Sequence, residues 1–289
     1  MDVPAHLAAL TGTPVARLRT LGRSHAWTLY HADLADSRRV FVKAFDHEAA
    51  DGLPDLDGVL TAEAAGLRWL AAAHPSLVPP VLAADTRMLV LPWLPPQSAT
   101  APSAEQLGRD LATLHAATPD SFGAPWDGYI ATLPLSNAAG PGEWGPWYAE
   151  HRLAPYLHAA APELGRDGVR LLDRVIDRIT DLAGPPEPPA RLHGDLWSGN
   201  VLWTADRALL IDPAAHGGHR ETDLAMLALF GAPHLDRILS AYQEIAPLNS
   251  GWRQRIPLHQ LHPLLVHVVL FGGSYRGMLL SAAASALAG

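Results

Sequence analysis

The densest run of chemically capable side chains is His193-Gly194-Asp195-Leu196-Trp197-Ser198-Gly199-Asn200. Asp212-Pro213 follows twelve residues after Asn200, at the end of an apolar stretch. The spacing H-x-D-x-x-x-x-N with a later Asp is one that serves phosphoryl transfer from ATP. One carboxylate, Asp195, takes or orients the proton of an acceptor hydroxyl. An amide oxygen, Asn200, and a second carboxylate, Asp212, hold Mg2+ against the nucleotide phosphates, because oxygen ligands suit that hard cation. Any one of these residues is also an ordinary loop former; the ordered set around a short hairpin is much harder to explain that way.

Two residues far upstream extend the pattern. Lys43 is the sole lysine among 21 basic residues, and it falls on a predicted strand. Glu63 falls on the same stripe of a predicted helix as Leu60 and Leu67, where a carboxylate is costly unless paired. A strand lysine paired with a helix glutamate is how phosphotransferases of this chemistry hold the α- and β-phosphates. Lysine and arginine are not interchangeable at such a site. The segment Gly22-Arg23-Ser24-His25 reads as a sparse phosphate loop through Gly22 and Ser24. Ala26 follows it and no helix does, which excludes a serine-hydrolase elbow.

The elements that must position these groups are legible from periodicity. Residues 15–21, 26–32 and 40–45 read as an antiparallel meander. Residues 59–73 read as a helix ending before Pro75, and 80–84 and 88–91 as short strands. The proline-rich run Pro92-Trp93-Leu94-Pro95-Pro96 marks a boundary between a small lobe, 1–92, and a larger lobe, 93–289. The larger lobe reads as helices over 103–117, 145–158, 167–183, 222–231, 233–245, 252–271 and 274–286. A stiff linker at 184–189 and two short strands at 201–203 and 208–211 lie among them. The fold class is α+β and bilobal.

Composition excludes other classes. With 21 basic and 29 acidic residues the net charge is −8, which argues against a nucleic-acid partner. There is no cysteine, so disulfide frameworks, thiolate metal sites and thiol catalysis are out, and a reducing, cytoplasmic location is expected. The N-terminus has no basic region followed by an apolar run, so no signal peptide is expected. The uncharged stretch between Arg255 and Arg276 carries two prolines and three histidines, which fits a buried helix rather than a membrane span. His259, His262 and His267 lie on one predicted helix at offsets that do not share a face, so a metal site there is the weaker expectation.

The chain resembles the fructosamine/ketosamine-3-kinases, relatives of the aminoglycoside and choline phosphotransferases in the protein-kinase-like fold. The resemblance is carried by Leu192 to Val201, Ile211-Asp212-Pro213-Ala214, Gly218 to Glu221 with Asp223 to Met226, Phe41-Val42-Lys43, Trp126-Asp127, Tyr129-Ile130, His151-Arg152-Leu153 and Phe271 to Tyr275. It implies ATP-dependent phosphorylation of the 3-hydroxyl of a small-molecule or protein-bound ketosamine, which promotes deglycation. By position it makes Asp195 the catalytic base, Asn200 and Asp212 the metal ligands, and Lys43 and Glu63 the phosphate-binding pair. Leu91, Pro92 and Trp93 become the hinge whose backbone meets adenine. Trp197 becomes a wall of the sugar site, with His216 and His219 near its mouth, while His193 and Asp223 steady the catalytic loop. The chain departs from the family where Pro92 replaces a frequent acidic residue, and where the loop thiol of some relatives is missing. A kinase of an aminoglycoside or amino alcohol on the same fold is the alternative; oligomeric state is open.

Replacing Lys43 with arginine keeps the charge and is expected to keep the fold but lose most phosphoryl transfer. Acceptor-dependent ADP release by Lys43→Arg checks this, and near-normal turnover would mark the lysine as a compositional leftover.

Overall fold

The computed structural model describes residues 1–24, 26–46, 56–140 and 142–289. The meander is antiparallel: β1 (Val15–Ser24) pairs with β2 (Trp27–Leu34), and β2 with β3 (Arg39–Phe45). Strand β1 runs through Gly22 to Ser24 where a loop was expected; His25 of that loop lies outside the described residues. With β4 (Ala83–Ala84) and β5 (Met88–Pro92) the sheet has the order β1-β2-β3-β5-β4.

The two faces of β3 explain the placement of Lys43. Alternate side chains of a strand point to opposite faces. Val40, Val42 and Ala44 pack with Leu7 of helix α1 (Val3–Thr11), an element the sequence pattern did not signal. Its start is fixed by Asp2, whose carboxylate accepts the Ala5 N–H. Phe41, Lys43 and Phe45 take the other face, where the two phenylalanines meet the core that buries helix α2 (Val59–Ala73).

The larger lobe begins with α3 (Ala101–Ala116), capped reciprocally by Thr100 and Ser103. A hairpin of β6 (Gly128–Ile130) and β7 (Leu133–Leu135) follows. Next come α4 (Trp144–Tyr148), a π-helical turn (Ala149–Leu153) and α5 (Ala154–Asp177), which kinks at Gly165. The helix expected over 145–158 therefore contains a π turn. After α6 (Ile179–Leu182) the linker is pinned rather than free: half-buried Glu187 accepts hydrogen bonds from Arg220 at 2.7 and 2.8 Å and from Asn249 at 2.7 Å.

Two short ladders flank residues 193–200. Strand β8 (Ala190–Leu192) pairs with β11 (His216–Gly218), and β9 (Val201–Trp203) with β10 (Ala208–Leu210). The chain ends in α7 (Glu221–Leu229), α8 (Leu235–Ile245), α9 (Trp252–His259), α10 (Leu261–Phe271) and α11 (Arg276–Ala288). The run from Trp252 to Ala288 is long and apolar enough to cross a membrane by length and composition. It is broken at Gln260 and Gly272; Leu261, Leu264, Leu265, Leu279 and Ala283 pack with α4 and α5 in one core, while Phe271 and Met278 are exposed, so the run is buried only in part. The single helix expected over 252–271 is thus two, with His259 on α9 and His262 and His267 on α10.

The apolar core does not stop at the lobe boundary. Leu60, Leu67 and Leu70 of α2 share one cluster with Leu107 and Leu111 of α3 and Leu224 of α7. Gly66 makes this close approach possible, since a Cβ there would lie 3.1 Å from the Cβ of Ala215.

The buried histidines make the fold acid-sensitive. Burial holds His193, His216, His259 and His262 below the ordinary imidazole value, His216 down to about 3. The unfolded chain protonates these rings first, near pH 6.5, so acid favours unfolding. Stability is expected to be full above about pH 6.5 and to fall steadily as the pH drops toward 3, read as the denaturant midpoint against pH.

Candidate active site

The site is built at the open edge between the lobes, as a cleft lined by β3 and α2 on one side and by the 193–200 loop and Asp212 on the other. Lys43, 8 % exposed, stands on β3 with its Nζ 2.7 Å from Glu63 Oε2 and 3.3 Å from Asp212 Oδ1. Trp27 supplies an aromatic face 5.0 Å from the ammonium. Burial alone would lower the pKa of Lys43, but the charges of Asp212 and Glu63 outweigh it and hold the group above the ordinary lysine value. Glu63 Oε1 is buried with no hydrogen-bond partner among the described residues.

The 193–200 loop leaves β8 at Leu192. Asn200 donates from Nδ2 to the backbone carbonyl of Asp195 at 2.8 Å and to its Oδ2 at 3.1 Å. Burial first, and the charge of Asp212 second, push the Asp195 carboxyl up to about 7. Asp212 adopts a left-handed backbone conformation, φ 53°, which turns its carboxylate toward Lys43. Asn200 spends its amide nitrogen on Asp195 and keeps its carbonyl oxygen, and the Asp212 side chain is half exposed in the cleft. This all-oxygen pair fits a hard divalent cation.

Beneath the loop, buried Asp223 at the start of α7 accepts the backbone N–H of His193 at 2.7 Å and of Gly194 at 3.0 Å. His115 approaches the same carboxylate at 3.2 Å and reaches Tyr242 through its other nitrogen. Burial would raise the Asp223 pKa, but His115, His193 and the Gly194 N–H hold it below the ordinary carboxyl value. Gly194 is required here: its φ is 84°, and a Cβ would sit 2.1 Å from the Ala214 carbonyl oxygen. His193 closes the loop by contacting the Ile211 carbonyl at 2.8 Å through Nε2.

Several expected residues lie elsewhere. His216 and His219 do not line the cleft. His216 is buried in β11, its Nδ1 2.9 Å from the Ala214 carbonyl oxygen and its ring stacked on Trp147. His219 is buried against Trp144 and His259, and lines a separate small cavity beneath the linker. Ser24 reaches the cleft, whereas Gly22 sits at an irregularity of β1 away from it. The hinge is closed as a donor at two positions: Pro92 has no N–H, and the Trp93 N–H is spent on the Arg39 carbonyl at 2.9 Å. Leu91 is buried in the core.

Trp197, 40 % exposed, lines the cleft as expected of a wall. Trp126, Tyr129 and Trp27 line it too and were not singled out as site residues. Their signal was present for the first two in the Trp126-Asp127 and Tyr129-Ile130 pairs. His219, Glu221 and His259 bring potential metal-binding atoms within 4.8 Å of one another. However, Arg255 occupies both Glu221 oxygens, at 2.9 and 2.5 Å, and the Glu221 N–H donates to His219 Nδ1. Neutral His219 therefore carries its proton on Nε2, so this cluster is an internal network rather than a ligand set.

The family model described as fructosamine kinase matches residues 8–288. A protein of Thermus thermophilus named as a probable ketoamine kinase is 35 % identical over 270 residues, covering 92 % of this chain and 97 % of that one. The crystal structure of a candidate fructosamine-3-kinase from Thermobifida fusca superposes with a TM-score of 0.94 at 53 % identity, covering 100 % of this chain and 99 % of the other. A thermostable variant of an aminoglycoside phosphotransferase, in ternary complex with ADP and hygromycin B, superposes over the full length of both chains. Its TM-score is 0.67 at 15 % identity, a likeness of fold.

Removing the Asp223 carboxylate leaves the buried His193 N–H and the half-buried Gly194 N–H of the 193–200 loop without this acceptor. Asp223→Ala is expected to cost about 1–3 kcal/mol in denaturant unfolding and to lower kcat more than it changes ATP binding.

Proposed function

The chain belongs to the fructosamine kinase family, and we propose that it transfers the γ-phosphoryl group of ATP to the 3-hydroxyl of a ketosamine. The observation that carries this reading is the convergence on one cleft of a paired lysine, a hydrogen-bonded Asp195–Asn200 unit and a second carboxylate at Asp212.

Each group has a part in the transfer. Lys43, fixed by Glu63 and Asp212, binds nucleotide phosphate as a point charge. Asn200 and Asp212 are the residues that would hold Mg2+, which when bound with the nucleotide neutralises charge on its phosphate oxygens. Asp195 accepts the proton of the sugar hydroxyl as the oxygen–phosphorus bond forms and ADP departs. A carboxyl raised to about 7 is well matched to taking a proton at neutral pH. The Asn200 amide keeps one Asp195 oxygen in place, leaving the other for the acceptor. Trp197 supplies an aromatic face for the sugar or its amine. The lack of cysteine suits work in a reducing, cytoplasmic setting.

An acceptor screen by ADP release tests the reading. With Mg-ATP, fructosyl-lysine and related ketosamines are expected to be turned over, and Asp195→Asn to lose about 10²–10⁴-fold in kcat. Turnover of aminoglycosides or amino alcohols with none of any ketosamine would move the chain to the alternative acceptor class.

A further inference from the structure

Arg152 is a guanidinium 1 % exposed, and it forms no salt bridge to a carboxylate among the described residues. Its partners are neutral: the carbonyl oxygens of Ser136 and, at 3.1 Å, of His151, the Asn137 Oδ1 at 3.0 Å, and the face of Trp147 at 4.4 Å. Taking a charge out of water without a counter-ion is costly, and proteins retain such groups where they perform a task.

The surrounding hydrogen bonds form a pattern. Trp147 donates to the Ala138 carbonyl at 3.0 Å, Arg152 to the Ser136 carbonyl, and Tyr156 to the Pro134 carbonyl at 2.7 Å. Three donors from one helical run thus take alternate carbonyls of residues 134–138. Alternate carbonyls of an extended chain point the same way and lie about 6.6 Å apart, close to the roughly 6 Å rise of four helical residues. Trp147 and Arg152 are five apart, which an α-helix would separate by about 140° around its axis. The π turn at Ala149–Leu153 absorbs the extra residue and brings Arg152 over Trp147.

What this rack holds is the wall of the cleft. Residues 134–138 include the end of β7, whose partner strand β6 lines the cleft along its length. Asn137, bound to Arg152, places its Nδ2 2.6 Å from where a Cβ of Gly128 would sit. At the far side, Tyr129 packs so closely on the start of α2 that a Cβ on Gly58 would be 2.7 Å from its hydroxyl. Trp126 meets Trp69 of α2 edge-on at 5.7 Å.

We propose that Arg152 is a positioning residue for the acceptor wall: through segment 134–138 it holds the β6–β7 hairpin, with Trp126 and Tyr129, against the helix that carries Glu63. The inference rests on reading this cleft as the acceptor site.

The test compares wild type with Arg152→Lys, Arg152→Met and Asn137→Ala. Asn137→Ala removes one of the guanidinium's acceptors while leaving Arg152 in place, and carries the test if the Arg152 variants do not fold. The acceptor KM is expected to rise about tenfold or more while the ATP KM stays within about twofold. Hydrogen exchange of residues 126–137 is expected to quicken in the same variants. A merely structural role would lower the thermal midpoint without separating the two KM values. Unchanged exchange of the hairpin, or an unchanged acceptor KM, in the folded variants overturns the proposal. Absence of ADP release by the wild type with every ketosamine overturns the functional reading instead, and the exchange result still decides whether Arg152 holds the hairpin.

Discussion

A buried ammonium must be paired, and the pairing of Lys43 organises this molecule. Its two carboxylates come from opposite sides of the cleft, Glu63 from α2 and Asp212 from the segment after β10. Meeting both demands that α2 lie close to the Asp212 segment, which Gly66 permits against Ala215. It also demands the left-handed turn at Asp212, a conformation that a non-glycine residue adopts at a cost. The strand alternation that points Lys43 toward α2 is the same one that buries Val42 and Ala44 under α1.

A second layer of buried polar groups supports the first. Asp223 fixes the backbone of the catalytic loop, Glu221 is locked by Arg255, and Glu187 by Arg220 and Asn249. Each charge is matched or hydrogen-bonded, as low-dielectric surroundings require. The histidines of this layer are spacers: His193 and His115 pass hydrogen bonds between loop, helix and strand, while His216 stacks on Trp147 and His219 packs at a tilt against Trp144. The acidic balance of the chain therefore coexists with an interior in which cations such as Arg152, Arg255 and Lys43 carry structural tasks.

How far the site was legible depended on distance along the chain. Asp195, Asn200 and Asp212 lie within one short stretch, and their types and spacing match the chemistry proposed for them. Lys43 and Glu63 were legible because strand and helix periods place them on known faces. His216 and His219 were misplaced because nearness in sequence to the loop does not fix the direction of a side chain. For His216 that direction was set when β11 paired with β8, and for His219, just past the strand, by packing against Trp144 and His259. The π turn, the split at Gln260 and the β6–β7 hairpin were equally hidden, since each depends on what the neighbouring element offers rather than on a local repeat.

The amino-acid sequence alone determined the bilobal α+β plan and singled out the residues proposed to move a phosphoryl group, because spacing, periodicity and residue chemistry are local properties. The tertiary structure alone decided that the lobes share a core through α2, that the hinge offers few donors, and that aromatic side chains of a hairpin complete the cleft. Those outcomes rest on hydrogen bonds and packing between residues far apart in the chain, whose partners are chosen only when the whole surface closes.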